Sequence, residues 1–321
     1  MRRKFKRSLA LITASLMALA VSACSTGEKS KDSMNSGAKE SSLRVFATTG
    51  YLADAVSNIA PGAKVYTMVK PGGDPHTYQP STKDIEELNA ADAVVWNGLH
   101  LEALMTKQLQ GMGKKQIAVG DQLPKDKLLP WPEKDDAGHE LHDPHIWNSP
   151  ENWQLVVEEV AKHLGKLDPK NADQYLQNAK SYNKKIDEAD AQAKKVLSSI
   201  PADQRNLVTG HDAFNYLGKR YNLQIFATDF VTSEAEKSAS ELNDLAQMIA
   251  TKKIKTIFVD NLQNPQAVKS LQENVKSKGW DVKISDEELF ADSLGDKEPV
   301  NTYLGVLKHN TEAIAKGLGN K

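Results

Sequence analysis

Two hydrophobic rhythms divide the chain. Leu43 to Thr48 is a short β-type run, and it is followed by Leu52, Ala55, Val56 and Ile59 at the i, i+3, i+4, i+7 spacing of one helical face. A second strand is predicted at Lys64 to Val69. Ser81 with Asp84 three residues later resembles a capping box, and so opens a helix. Ala93 to Trp96 and Gln116 to Val119 read as two further strands, with a helix between them from about Leu101. Strand and helix alternate, the pattern of a parallel sheet covered by helices.

Ser149 then offers an N-cap and Pro150 a first helical residue whose missing N–H costs nothing. Trp153, Val156, Val157, Val160 and Leu164 line one face of that helix. A longer helix is expected from about Ala172 to Ser198, with a narrow seam of Ala179, Tyr182, Ile186, Ala189, Ala193 and Val196. A seam this narrow means that one side packs and the rest is wet. At 1.5 Å per residue such a helix reaches about 40 Å, enough to serve as a strut between two lobes. The seam is too short and too rich in alanine for a coiled-coil dimer, which needs three or four heptads.

The same alternation returns beyond it. Strands are predicted at Asn206 to Thr209, Leu223 to Ala227, Thr256 to Val259 and Val282 to Ile284. The helices between them are expected at about Ala213 to Tyr221, Ala239 to Thr251 and Gln266 to Lys278, with a last one from about Val300. The expected fold is therefore α/β: two lobes, each a parallel-type four-stranded sheet flanked by helices, at 43–170 and 200–321, joined by one long rigid helix at 171–199.

Ahead of this body, Arg2, Arg3, Lys4, Lys6 and Arg7 precede the apolar stretch Leu9 to Val21, which is too short to span a bilayer comfortably. The stretch ends at Val21-Ser22-Ala23-Cys24, which resembles a lipoprotein processing site and makes 1–23 a signal peptide and Cys24 the lipidated first residue. Residues 25–42 lack apolar periodicity and are rich in Ser, Gly and Lys, so they read as a flexible tether. Cys24 is the single cysteine. Once it is lipidated, any metal must be held by nitrogen and oxygen.

The 41 basic and 42 acidic residues balance to a net charge of −1, which argues against nucleic acid as a partner. The histidines are more informative. Asp-Pro-His occurs at Asp74-Pro75-His76 and again at Asp143-Pro144-His145, each time followed by a helix-capping signal. Proline fixes its own φ and biases the preceding residue away from helix, so each triplet presents its imidazole on a stiff loop. His211 follows a predicted strand through Gly210, and ligands of open α/β sheets bind outside the carboxyl ends of strands. His163 and His309 fall in helical patterns and His100 at a helix start, all three read as structural. His139 and His142 stand in an acidic stretch with Glu133, Asp135, Asp136 and Glu140, which reads as a solvated loop or an accessory metal-collecting site. Neutral imidazole plus carboxylate suits zinc, manganese and iron. Among the acids, Asp292 competes with Asp260, Asp286 and Asp296 for the carboxylate position.

Taken together, the processing site, DPHTYQP, DPHIW, VTGHDAFNYL and FADSLGD resemble the metal-binding lipoproteins of bacterial manganese and zinc ABC importers, over Leu43 to Leu318. The resemblance implies a single divalent metal ion, Mn2+ or Zn2+, at the lobe interface. It implies His76 and His145 as ligands from the first lobe, and His211 and Asp292 from the second. Some members carry glutamate where this chain has His211. The long His-rich insertion of zinc-dedicated members is absent, which favours manganese. Permease and ATPase subunits are then expected on other chains, with this chain a monomer anchored by its lipid at the outer face of the cell membrane. An enzyme of the metallohydrolase class fits poorly, since catalytic zinc keeps an open position and His139-Glu140-Leu141-His142 lacks the HExxH spacing. A surface adhesin on the same fold is compatible with the anchor.

Overall fold

The computed structural model describes residues 42–134, 138, 140–229, 237–261 and 265–319. The segment expected to be a signal peptide, Cys24, the expected tether up to residue 41 and His139 lie outside the described residues. Four parallel strands come first: β1 (Arg44–Ala47), β2 (Lys64–Thr67), β3 (Ala93–Trp96) and β4 (Gln116–Ala118), in the order β2-β1-β3-β4. Their crossovers carry α1 (Gly50–Ile59), α2 (Thr82–Ala90) and the short α3 (Thr106–Gly111).

Successive side chains of a strand point to opposite faces, and both faces of this sheet are covered. Val45, Ala47, Ala93 and Val95 join a core with α1, whereas Phe46, Val94 and Trp96 pack on Leu88, Met105 and Leu109. Ser81 caps α2 as expected: its hydroxyl accepts the Asp84 N–H, and the Asp84 carboxylate accepts the Ser81 N–H.

The chain then forms an antiparallel hairpin of β5 (Pro130–Lys134) and β6 (Glu140–His142), followed by α4 (Pro150–Leu167) and α5 (Ala172–Leu197). In α4, Ser149 accepts the Asn152 N–H and Pro150 opens the helix. The 26 residues of α5 serve two cores in turn. Tyr175, Ala179, Tyr182 and Ile186 pack into the first with α1 and α4, and Ala193 and Leu197 into another with Phe258 and Ile314. One continuous helix thus joins the two halves. Ile186 is fully buried, so Ile186→Val is expected to lower stability by about 1 kcal/mol. Urea unfolding checks this through a lower midpoint at unchanged slope.

In the second half come β7 (Asn206–Thr209), α6 (Asn215–Tyr221), β8 (Gln224–Ala227), α7 (Ala239–Lys252), β9 (Thr256–Ile257), α8 (Pro265–Ser277), β10 (Lys283–Ile284) and α9 (Tyr303–Leu318). Instead of one four-stranded sheet there are two parallel pairs, β7-β8 and β9-β10. A backbone bond from Phe258 N–H to the Val208 carbonyl, 2.8 Å, links the pairs. Leu207 and Phe258 face one core and Val208 and Ile257 the other, so this half is also layered between helices.

Two local expectations need correction. The helix expected from about Leu101 starts later, as a 3-10 turn at Ala103–Met105 that runs into α3. Buried Glu102 accepts the N–H groups of Asn97 (2.8 Å) and Gly98 (3.1 Å), and Gly98, Leu99 and His100 take positive φ of 74°, 52° and 69°. His100 is therefore an exposed turn residue. The acidic stretch ending at His142 is also more than a loop, because its flanks pair as β5 and β6 around Trp131.

Candidate metal centre

The two Asp-Pro-His triplets fold alike. In each, the aspartate Oδ1 accepts the backbone N–H of the histidine two residues on, at 2.8 Å for Asp74 and His76 and 3.0 Å for Asp143 and His145. This side-chain turn, with proline fixing φ at its centre, aims the imidazole inward. His211 is set differently. Its N–H donates to Asp260 Oδ2 at 2.7 Å, and a Cβ at Gly210 would come within 2.7 Å of that same oxygen, so glycine is required there. Asp292 follows the bridge between Asp260 and Leu289, and the Ala291 N–H donates to Asn261 Oδ1.

These loops bring His76, His145, His211 and Asp292 into one buried cluster. His145 Nε2 lies 3.2 Å from His76 Nε2 and 3.2 Å from His211 Nε2. Asp292 Oδ2 lies 3.2 Å from both His76 Nε2 and His211 Nε2, and Oδ1 lies 3.4 Å from His145 Nε2. Zinc bonds of about 2.0–2.1 Å to four tetrahedral ligands place neighbouring donors about 3.3–3.4 Å apart. The spacing thus fits a small divalent ion inside the cluster. The donors fit as well. Neither Asp292 oxygen has a hydrogen-bond partner of good geometry although both are buried. His145 Nδ1 is 2.7 Å from Asp143 Oδ1, the arrangement that turns the Nε2 lone pair toward a metal.

Electrostatics store charge in the cluster. Burial alone would raise the Asp292 carboxyl, but the His211 and His145 imidazoles override it and hold it well below the usual carboxylate range. Burial also disfavours charged His145, yet the Asp292 and Asp143 carboxylates push it up to about 10. The balance raises His211 as well. For His76 burial dominates, and its value falls despite Asp292.

Of the competing acids, Asp260 holds the backbone of His211, and Asp286 and Asp296 are exposed. His142 sits in β6 apart from the cluster, with a buried Nδ1 that has no partner. His163 and His309 donate through Nε2 to the carbonyls of Lys115 and Glu288. Sequence reasoning missed Asp143, which also accepts from Asn215 Nδ2 at 3.1 Å and whose carbonyl accepts from the Tyr216 hydroxyl at 2.8 Å. Its position in the triplet was the available signal.

Three buried imidazoles and a carboxylate brought together from loops of an α/β body form a donor set that could hold a metal ion. Residues 45–317 match the family model described as zinc-uptake complex component A, periplasmic. The manganese-binding lipoprotein MntA of Bacillus subtilis is 34% identical over 93% of this chain and 95% of its own length. The iron-binding protein YfeA of Yersinia pestis is 31% identical over 98% of this chain and 97% of its own. In fold, the periplasmic zinc-binding protein TroA of Treponema pallidum superposes with a TM-score of 0.81, at 33% identity, covering 87% of this chain and all of that one. The chain belongs to this family, the metal-binding substrate-binding proteins of ABC importers. It is a transport protein and not an enzyme.

Proposed function

We propose that this chain captures one divalent transition metal ion, manganese by preference and zinc next, through His76, His145, His211 and Asp292, and delivers it to a permease and ATPase on other chains. The convergence of those four buried side chains, two from each half of the chain, is the observation that carries the reading. Segments 43–170 and 200–321 act as lobes about the helix at 171–199, and the protein works as a monomer. Lipid on Cys24 holds it at the outer face of the membrane; among the described residues no helix is long and apolar enough to cross one. The preference for manganese is supported by the absence of the long His-rich insertion that the resemblance associates with zinc-dedicated members. Higher affinity for zinc in the test tube would not contradict it, because zinc lies above manganese in the Irving–Williams order.

Titration calorimetry with manganese and zinc tests this, with an expected stoichiometry near one. Two equal tight sites, or none, would contradict it. The same titration between pH 5 and 8 should show affinity climbing with pH. His145, raised to about 10, carries a proton throughout that range and must release it to bind. One competing proton changes affinity about tenfold per pH unit. His211, which is also raised, adds to the loss as pH falls, and His76, which burial lowers, adds to it only further on the acid side, so the slope steepens there. An affinity flat from pH 5 to 8 would mean that these histidines are not the ligands.

A further inference from the structure

His145 is oriented by a carboxylate on its ring, but the Asp292 carboxylate receives no hydrogen bond of good geometry, so its aim depends on the main chain beside it. That main chain is held from the first half of the molecule. The Ala291 carbonyl accepts the Trp147 indole N–H at 2.8 Å and the Tyr51 hydroxyl at 3.1 Å. A carbonyl has two lone pairs, and both are thereby engaged. The two donors are themselves fixed: the Tyr51 and Trp147 rings stack 5.1 Å apart, and Trp147 meets the His145 ring edge-on at 5.3 Å. On the other side, Asn261 accepts the Ala291 N–H and donates to the Ser293 carbonyl and hydroxyl at 2.9 and 2.7 Å.

We infer that Tyr51 and Trp147 are positioning residues for Asp292, and that their clamp on the Ala291 carbonyl slows metal release, manganese more than zinc. The inference rests on the proposed reading of Asp292 as a ligand. Both carboxylate oxygens are turned to the histidines, within 3.2 to 3.4 Å of imidazole nitrogens. Freeing the Ala291 carbonyl lets the carboxylate rotate out of that arrangement while the three imidazoles stay in place. Zinc is well served by imidazole nitrogen, whereas manganese is suited by carboxylate oxygen and is weakly held by most nitrogen sites. Manganese therefore loses the larger share of its hold.

The test uses Tyr51→Phe, Trp147→Phe and the double variant, which remove one or both donors; Tyr51→Phe keeps its ring and is the cleaner probe, whereas Trp147→Phe also trims the indole that packs on His145. Tyr303→Phe is the control. Tyr303 belongs to the same aromatic cluster, 6.4 Å from Tyr51, but its hydroxyl is buried without a partner and does not touch Ala291. Release of manganese and of zinc into excess chelator is timed by stopped flow, alongside equilibrium binding by wild type and Asp292→Ala. The double variant should release manganese about tenfold faster or more, the range typical of partners that orient a metal ligand. Zinc release should rise by a smaller factor, each single variant should show an intermediate effect, and Tyr303→Phe should match wild type. Wild-type release by the double variant, equal acceleration of both metals, or equal acceleration by Tyr303→Phe would overturn the inference. Undiminished binding by Asp292→Ala would instead overturn the ligand reading beneath it.

Discussion

Asp292→Ala is expected to weaken metal binding on the order of a thousandfold or more, well beyond the 10–100-fold typical of residues one shell out. The reason is charge as well as geometry. Asp292 is the one anion among the four candidate ligands and is fully buried. Without it, a divalent ion would touch three neutral imidazoles and no anion, with the Asp143 carboxylate only behind the His145 ring, and a poorly compensated buried charge is costly. His211→Ala should also weaken binding severely. It should in addition make the acid-side loss of affinity shallower by about one proton, since one titrating imidazole is gone. Both residues lie in loops outside the periodic core positions, so the far-UV circular dichroism of each variant should match wild type. Competition against a chromogenic chelator at pH 7.5 measures the affinities. A change in Kd of less than about threefold in Asp292→Ala would remove Asp292 from the ligand set.

Saturating metal is expected to raise the thermal midpoint by roughly 6–7 °C. A ligand that binds only the native state stabilises it by RT ln(1 + [L]/Kd), roughly 4 kcal/mol at a thousandfold excess over Kd. At about 2.1 cal/mol/K of unfolding entropy per residue, about 1 kcal/mol corresponds to roughly 1.5 °C for a chain of 321 residues. The candidate ligands come from His76 and His145 before α5 and from His211 and Asp292 after it. Metal therefore ties together segments that an unfolded chain cannot hold in register. Scanning calorimetry with and without manganese or zinc checks the shift, and Asp292→Ala should lose most of it. An unchanged wild-type midpoint under saturating metal would count against a site of this kind.

What the sequence made legible follows the range of the forces involved. The caps of α2 and α4 are local chemistry, Ser81 with Asp84 and Ser149 with Pro150, and they stand where the pattern placed them. The seam of α5 was visible from Ala179 to Ala193, because a helix that packs on one side writes its period into the chain, but it begins at Tyr175 and ends on Leu197 where Val196 was expected. The turn at 98–100 was not. It depends on Glu102 reaching back to the Asn97 and Gly98 amides, and buried Glu102, raised by desolvation to about 7, looks in sequence like any helix-surface glutamate. The hairpin β5-β6 was hidden for a similar reason, since its charged residues show no alternation and the buried Trp131 is its anchor. Two short strand pairs replaced the expected second sheet because an apolar run marks burial and not the extent of pairing.

The site divides in the same way. His76 and His145 carry a local signature, the Asp-Pro-His turn that the structure shows in both loops. Asp292 had none to set it apart from Asp260, Asp286 and Asp296. Its place beside the three histidines is set by tertiary structure, in which Asn261, Tyr51 and Trp147, far from it in sequence, hold the neighbouring Ala291 peptide from both sides.

The most direct test of the metal centre is anomalous diffraction from crystals of the metal-loaded protein, recorded at the absorption edge of manganese and again at that of zinc. The account predicts one strong peak per chain, within bonding distance of Nε2 of His76, His145 and His211 and of the Asp292 carboxylate. A strong peak elsewhere with none among these four side chains, for example beside His142, would contradict it.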